Sequence, residues 1–128
     1  MKYPIAYAFL VGFVLIAQWG FLILSGSVPE FDSEPWAIGH HITAELLMAL
    51  TLMVGAWAAR RARPWAATVL LLGFGMLIYS AVNSSGYYSQ QGQWGFVFLF
   101  AVILVTVARA ARQLLPKPGK LRHRARKA

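Results

Sequence analysis

Lysine and arginine occur in this chain only at the flanks of long apolar runs, and the acids lie elsewhere. Lys2 precedes an uncharged run from Tyr3 to Pro29. Arg60, Arg61 and Arg63 break the middle of the chain. Arg109, Arg112 and a tail from Lys117 to Lys127 close it. Between these basic clusters come Glu30, Asp32, Glu34 and Glu45, then an uncharged polar stretch from Asn83 to Gln93. A soluble fold has no reason to sort charges this way. A membrane protein does, because cytoplasmic flanks retain Lys and Arg. The pattern predicts an all-α integral membrane bundle of four transmembrane helices. Both termini and the Arg60–Arg63 turn are expected on the cytoplasmic side of an inner membrane (N-in/C-in).

Composition narrows the function classes. Of 128 residues 59% are hydrophobic, and twelve bases against four acids give a formal charge of +8. That charge suggests nucleic acid at first, but it sits in short flanks of apolar segments, not on one face of a polar domain. The expectation is no nucleic acid, with anionic lipid headgroups as the partner, at roughly 1 kcal/mol per basic residue near the surface. There is no cysteine. Thiol catalysis, disulfide exchange, thiolate-held iron–sulfur clusters and thiolate zinc sites are therefore excluded.

The four spans read as Ile5–Ser25, Pro35–Ala59, Pro64–Val82 and an apolar heart at Trp94–Ala108. Each of the first three is long enough, at ~1.5 Å per residue, to approach or cross a ~30 Å core. Asp32-Ser33-Glu34-Pro35 offers an N-cap and an early Pro for the second. Ser84-Ser85-Gly86 and Gln91-Gly92 punctuate the link between the last two. Tyr3, Trp57 and Trp65 fall near the inner boundary, and Trp36, Tyr87, Tyr88 and Trp94 near the outer one. The first run is longer than a usual signal-peptide core, although Ser25-Gly26-Ser27 is a small-residue site, so it is expected to be a retained anchor. The one-sided basic bias argues for a single orientation. Residues 1–115 form the expected transmembrane domain and 116–128 a basic cytoplasmic tail, disordered until it meets lipid or a partner. Ala8 with Gly12, and Gly55 with Ala59, supply small residues for close packing inside the bundle.

Glu45 is the only charge well inside an apolar run. It lies fifteen residues before Arg60, hence ~22 Å along a helix from the inner boundary. A carboxylate at the centre of a membrane costs about 2.5–3.5 kcal/mol by insertion scales, and less off-centre. Such a residue is protonated, paired or functional. Gln18 is sixteen residues from Lys2, Tyr79 sixteen from Arg63 and Gln93 sixteen from Arg109. All three reach ~24 Å, the level of Glu45. One polar side chain per helix at one depth predicts a hydrogen-bonded layer, with Gln18, Tyr79 and Gln93 as candidate cofactor- or ligand-binding residues. The other reading is three unrelated side chains.

His41 and Glu45 are i and i+4, so they share a helix face. They are the candidate catalytic pair, able to relay a proton or orient a bound polar group. The bland reading is a contact that makes Glu45 tolerable in the membrane, the default for buried ionisable groups. His40 points about 100° away from His41, so the adjacent histidines carry no metal spacing, and no metal is expected. The remaining histidine, His123, is on the wrong side for bis-histidine haem ligation. Met48 and Met53 read as core. No phosphate loop, nucleophile elbow or paired-carboxylate site is present.

One resemblance touches these residues. The run Ala44-Glu45-Leu46-Leu47, the apolar stretch to Gly55, the basic Arg60 and Arg61 and the third apolar helix together resemble the DoxX family of small four-helix membrane proteins. The likeness covers Ala44 to Val82, about a third of the chain. The Arg and Gly-Lys element of that family's first helix has no counterpart here, so only Glu45 carries over. The resemblance implies a membrane-embedded bundle, in some members tied to quinone-linked redox or stress pathways. Small multidrug transporters also combine four helices with a membrane Glu, but in their first helix. The first helix here has no acid.

The leading expectation is an accessory or interaction subunit of a larger membrane complex. The second is a redox component or small enzyme binding a lipophilic molecule, such as a quinone, around Glu45. The third is a proton-linked transporter of small hydrophobic cations. No cofactor is named by the sequence.

Overall fold

The computed structural model describes residues 1–116 and is all helical. The basic run from Lys117 onward, assigned above to a lipid-binding tail, lies outside the described residues. Helices α1 (Lys2–Leu24), α3 (Pro35–Arg60), α4 (Ala66–Gln90) and α5 (Trp94–Leu114) form the bundle, and the single turn α2 (Glu30–Ser33) sits between the first two. Each of the four long helices is long and apolar enough to cross a membrane.

Their ends are set by local chemistry. Helix α1 stops at Gly26, whose N–H bonds back to the Ile23 carbonyl while the Ser27 N–H reaches Leu22. This is the Schellman closure, and it requires the positive φ of 65° that glycine adopts without strain. Helix α3 closes the same way: the Ala62 N–H meets Ala59 and the Arg63 N–H meets Ala58. Here the left-handed position is held by an alanine at φ 52°. Pro35 occupies the first turn of α3, where its missing N–H costs nothing. Glu34 is the N-cap and makes no side-chain cap bond, so the capping expected of Asp32-Ser33-Glu34 is not formed.

Two boundaries differ from the sequence reading. Residues 30–33, read as link, make the turn α2. Helix α4 starts at Ala66, after a Pro64–Trp65 turn, and runs eight residues beyond Val82, straight through Ser84-Ser85-Gly86. Ser85 and Ser89 bond back to the Val82 and Ser85 carbonyls, which turns both hydroxyls onto the helix's own backbone. Tyr88 then stacks on Phe96 (4.6 Å between centroids) and Phe100 (5.8 Å) of α5. Tertiary packing overrides weak local propensity.

Helix α1 packs along α3, α3 along α4, and α4 along α5. Helices α1 and α5 are bonded to each other where Tyr3 donates to the Thr106 carbonyl, Tyr7 bonds the Thr106 hydroxyl, and the Arg109 guanidinium lies over the Tyr3 ring. This is the basic end, shared by Arg60 over Phe9 and Arg61 over Trp57. Glu30, Asp32 and Glu34 mark the opposite, acidic end, where Tyr87 donates to Glu30. The main core fills the basic half with Ala8, Leu52, Ala56, Leu70, Phe74, Val107 and neighbours. Met48 belongs to it, whereas Met53 is only partly buried. A smaller cluster of Trp19, Val28 and Ile42 closes the acidic end between α1 and α3. Small residues let the helices approach. A Cβ on Gly12 would lie 2.7 Å from Met53 Cγ and 3.0 Å from the Ala49 carbonyl, and one on Gly73 would lie 2.8 Å from Leu52 Cδ2. A Cβ on Gly55 would lie 3.0 Å from Leu70 Cγ, a close but looser fit. The small-residue pairs therefore serve contacts within the chain.

Candidate functional site at Glu45

Between the two apolar clusters lies one buried acid. Glu45 is 8% exposed, on the face of α3 that meets both α1 and α4. Trp19 Nε1 of α1 donates to Glu45 Oε2 at 2.6 Å, and Ser80 Oγ of α4 donates to Oε1 at 2.7 Å. One carboxyl group thus ties three helices. Both of its oxygens are engaged, one by an indole N–H and one by a hydroxyl. His41 Nε2 stands 3.6 Å from Oε1, one turn nearer the acidic end, beyond direct hydrogen-bond distance. The Trp19 ring meets the His41 ring edge-on at 5.9 Å and 76°, which holds the imidazole over the pair. Val28, Ile42, Leu22 and Ile38 cover Trp19 and keep water from the indole.

Beside this cluster a half-open cleft of about 360 Å³ runs between α3 and α4. Met48, Ala44, Met76 and Gly75 give it apolar walls; His41, Glu45, Ser80, Tyr79 and Asn83 give it polar groups. Its volume lies within the range of small-molecule sites. Among the described residues every buried polar side-chain atom has a partner, so a ligand would meet the rim groups His41, Tyr79 and Asn83 first.

The expected polar layer is only partly built. His41 and Glu45 do share a face and face each other. Gln18 is exposed on α1 and does not reach Glu45. Its neighbour Trp19 takes that place, because one residue turns a helix by 100°. Gln93 is also exposed; it caps α5 from outside the helix and donates to Gln91 Oε1 at 3.0 Å. Tyr79 lines the cleft but is 74% exposed and does not bond to Glu45. The layer of Gln18, Tyr79 and Gln93 around Glu45 is therefore corrected to Trp19, Ser80 and His41. His40 is exposed, its Nδ1 2.8 Å from the Trp36 carbonyl.

Trp19 has a signal in the sequence: Ala8, Gly12, Leu15 and Trp19 repeat at i, i+4, i+7 and i+11, so the small-residue stripe of α1 points Trp19 at α3. Ser80 follows only from the packing: Gly73 touches Leu52, and stepping seven residues along each antiparallel helix brings Ser80 to Glu45.

With this geometry in place, comparison with known families is informative about kinship. The sequence matches the family described as "Domain of unknown function (DUF8058)" over residues 1–126. The chain belongs to the DUF8058 family. No curated protein and no solved structure matches. The family match spans all four long helices, so Trp19, His41, Glu45 and Ser80 lie within one family unit.

Proposed function

We propose that this DUF8058 protein is a multi-pass inner-membrane protein that takes up a lipophilic small molecule in the α3–α4 cleft beside Glu45. Both termini and the Arg60–Arg63 turn face the cytoplasm in this reading. Its support is the segregation of bases to one end and the apolar circumference of the bundle. Phe13, Phe98 and Val105 are 65%, 72% and 70% exposed, a costly surface in water and an ordinary one in lipid. Exposed Trp36 and Trp94 flank the acidic end, and Trp57 and Trp65 the basic end, as interfacial anchors do.

One observation carries the functional half: a buried acid and a cleft of small-molecule size occur at the same place. Helix contacts alone do not require either. A glutamine could accept from Trp19 and bond Ser80 without the desolvation cost of a charge. An acid retained at the floor of a cleft is the usual mark of a binding or reacting group within a membrane. The outward faces of α1 and α5 are largely apolar, which lipid alone satisfies. The cleft is thus a better basis for function than an accessory-subunit surface. The resemblance of residues 44–82 to the DoxX family makes a quinone one ligand worth testing.

The test is mass spectrometry of lipophilic compounds retained by protein purified from its native membrane. The parent should carry a compound at near-stoichiometric level that Glu45→Leu lacks. Identical small-molecule content in both would refute the reading.

A further inference from the structure

We infer that the Glu45 cleft selects an amphipathic cation, an ammonium or phosphonium with apolar substituents, over neutral or anionic molecules of the same size. The inference rests on the cleft being a site for a lipophilic molecule, and adds the charge of that molecule.

The reasoning starts from how Glu45 is held. Trp19 and Ser80 are neutral donors. They satisfy both oxygens and bring no positive charge to them. Among the described residues the single ion-pair partner is His41, at 3.6 Å on the rim. Every described Lys and Arg belongs to the basic end. The nearest along α3 is Arg60, fifteen residues or ~22 Å away. At that distance it makes no direct ion pair or hydrogen bond with Glu45. The cleft floor is therefore an acid with no Lys or Arg beside it among the described residues, and with His41 as its one basic neighbour, beyond hydrogen-bond distance.

The walls suit what would supply one. Met48 and Met76 are polarisable and adapt to irregular shapes. Tyr79 offers a ring face, on which an organic cation gains cation–π attraction that a neutral molecule does not. The other acids, Glu30, Asp32 and Glu34, lie at the end of the bundle nearer the cleft and raise the local concentration of cations there. A quinone would find donors only in the partly or fully exposed His41, Tyr79 and Asn83, and would bring its carbonyl oxygens towards a negative charge.

The experiment uses the whole chain in nanodiscs of zwitterionic phosphatidylcholine, with empty nanodiscs subtracted. Equilibrium dialysis measures tetraphenylphosphonium, its anionic counterpart tetraphenylborate, and a short-chain ubiquinone analogue. Two variants separate charge from space. Glu45→Gln keeps the bonds to Trp19 and Ser80 and removes the charge. Gly75→Leu fills the cleft while leaving Glu45 intact, and a Cβ at Gly75 meets nothing within 4 Å. Saturable tetraphenylphosphonium binding is expected, with no saturable tetraphenylborate binding. It should weaken by at least about tenfold in Glu45→Gln and vanish in Gly75→Leu. Equal binding of the two ions, or an unchanged affinity in Glu45→Gln, overturns cation selectivity. Quinone binding that depends on Glu45, without phosphonium binding, also overturns it and leaves the lipophile site standing. If none of the three binds saturably, or if Gly75→Leu binds as the parent does, the site itself is wrong. Should Glu45→Gln not fold, the comparison of the two ions in the parent and in Gly75→Leu decides.

Discussion

Trp19→Phe removes one N–H from the Glu45 site and little else. The bond it deletes is 2.6 Å long and charge-assisted, and its loss leaves Oε2 without a donor in a site that excludes water. Hydrogen bonds to charged groups contribute about 1.5–3 kcal/mol. The smaller ring adds about 1 kcal/mol of lost packing against Val28 and Ile42. The expected total is about 3 kcal/mol. In a Glu45→Gln background the same substitution deletes a neutral bond, for which measured values in membranes average about 0.6 kcal/mol. The packing loss is common to both backgrounds and cancels. The double-mutant cycle should therefore give a coupling of about 1–2 kcal/mol, a factor of 5–30 in the folding equilibrium. Reversible unfolding in mixed micelles, titrated with sodium dodecyl sulfate and followed by circular dichroism, reads all four corners. Costs that add to within about 0.4 kcal/mol would refute the idea that the indole bond holds a charge.

Other perturbations test the frame around the site. Gly12→Ala should destabilise the bundle by about 1–3 kcal/mol, because its Cβ meets the fixed Ala49 carbonyl as well as Met53. Gly20→Ala, with nothing within 4 Å, should be neutral or stabilising in the same titration. If both behave alike, the α1–α3 approach is looser than described. Ala62→Gly relieves a left-handed alanine and should raise stability by up to about 1 kcal/mol; a fall would show that the turn carries no strain. A single thiol in Ala62→Cys should stay unlabelled by an impermeant reagent in intact cells and react after lysis. Labelling from outside would reverse the proposed orientation.

How much of this was legible in the sequence depends on which coordinate is asked for. The long helices were legible because a charge placed in an apolar run is expensive, so Lys2 and Arg60–Arg63 marked helix ends and Arg109 the last turns of α5. Depth along each helix was legible too: Trp19 and Ser80 lie within one residue of the levels assigned through Gln18 and Tyr79. Azimuth was not. A depth ruler carries no information about which of two adjacent side chains turns inward; on α1 the stripe through Ala8, Gly12 and Trp19 decides it, not polarity. The far end of α4 was missed for a different reason. Asn83 to Gly86 has the composition of a turn, and the Tyr88 stack that keeps it helical involves residues of another helix. Ser80 has no partner near it in sequence; its partner is thirty-five residues away on α3.

The central claim is that the cleft beside Glu45 opens into a bilayer. A spin label on Tyr79→Cys, at the cleft rim, tests it in liposomes; the chain has no other cysteine. Ala62→Cys, in the basic turn, serves as the aqueous reference. The expected result is greater collision with molecular oxygen than with a water-soluble nickel chelate at position 79, and the reverse at 62. A label at 79 that meets the nickel chelate more readily than oxygen would place the cleft in water and contradict the claim.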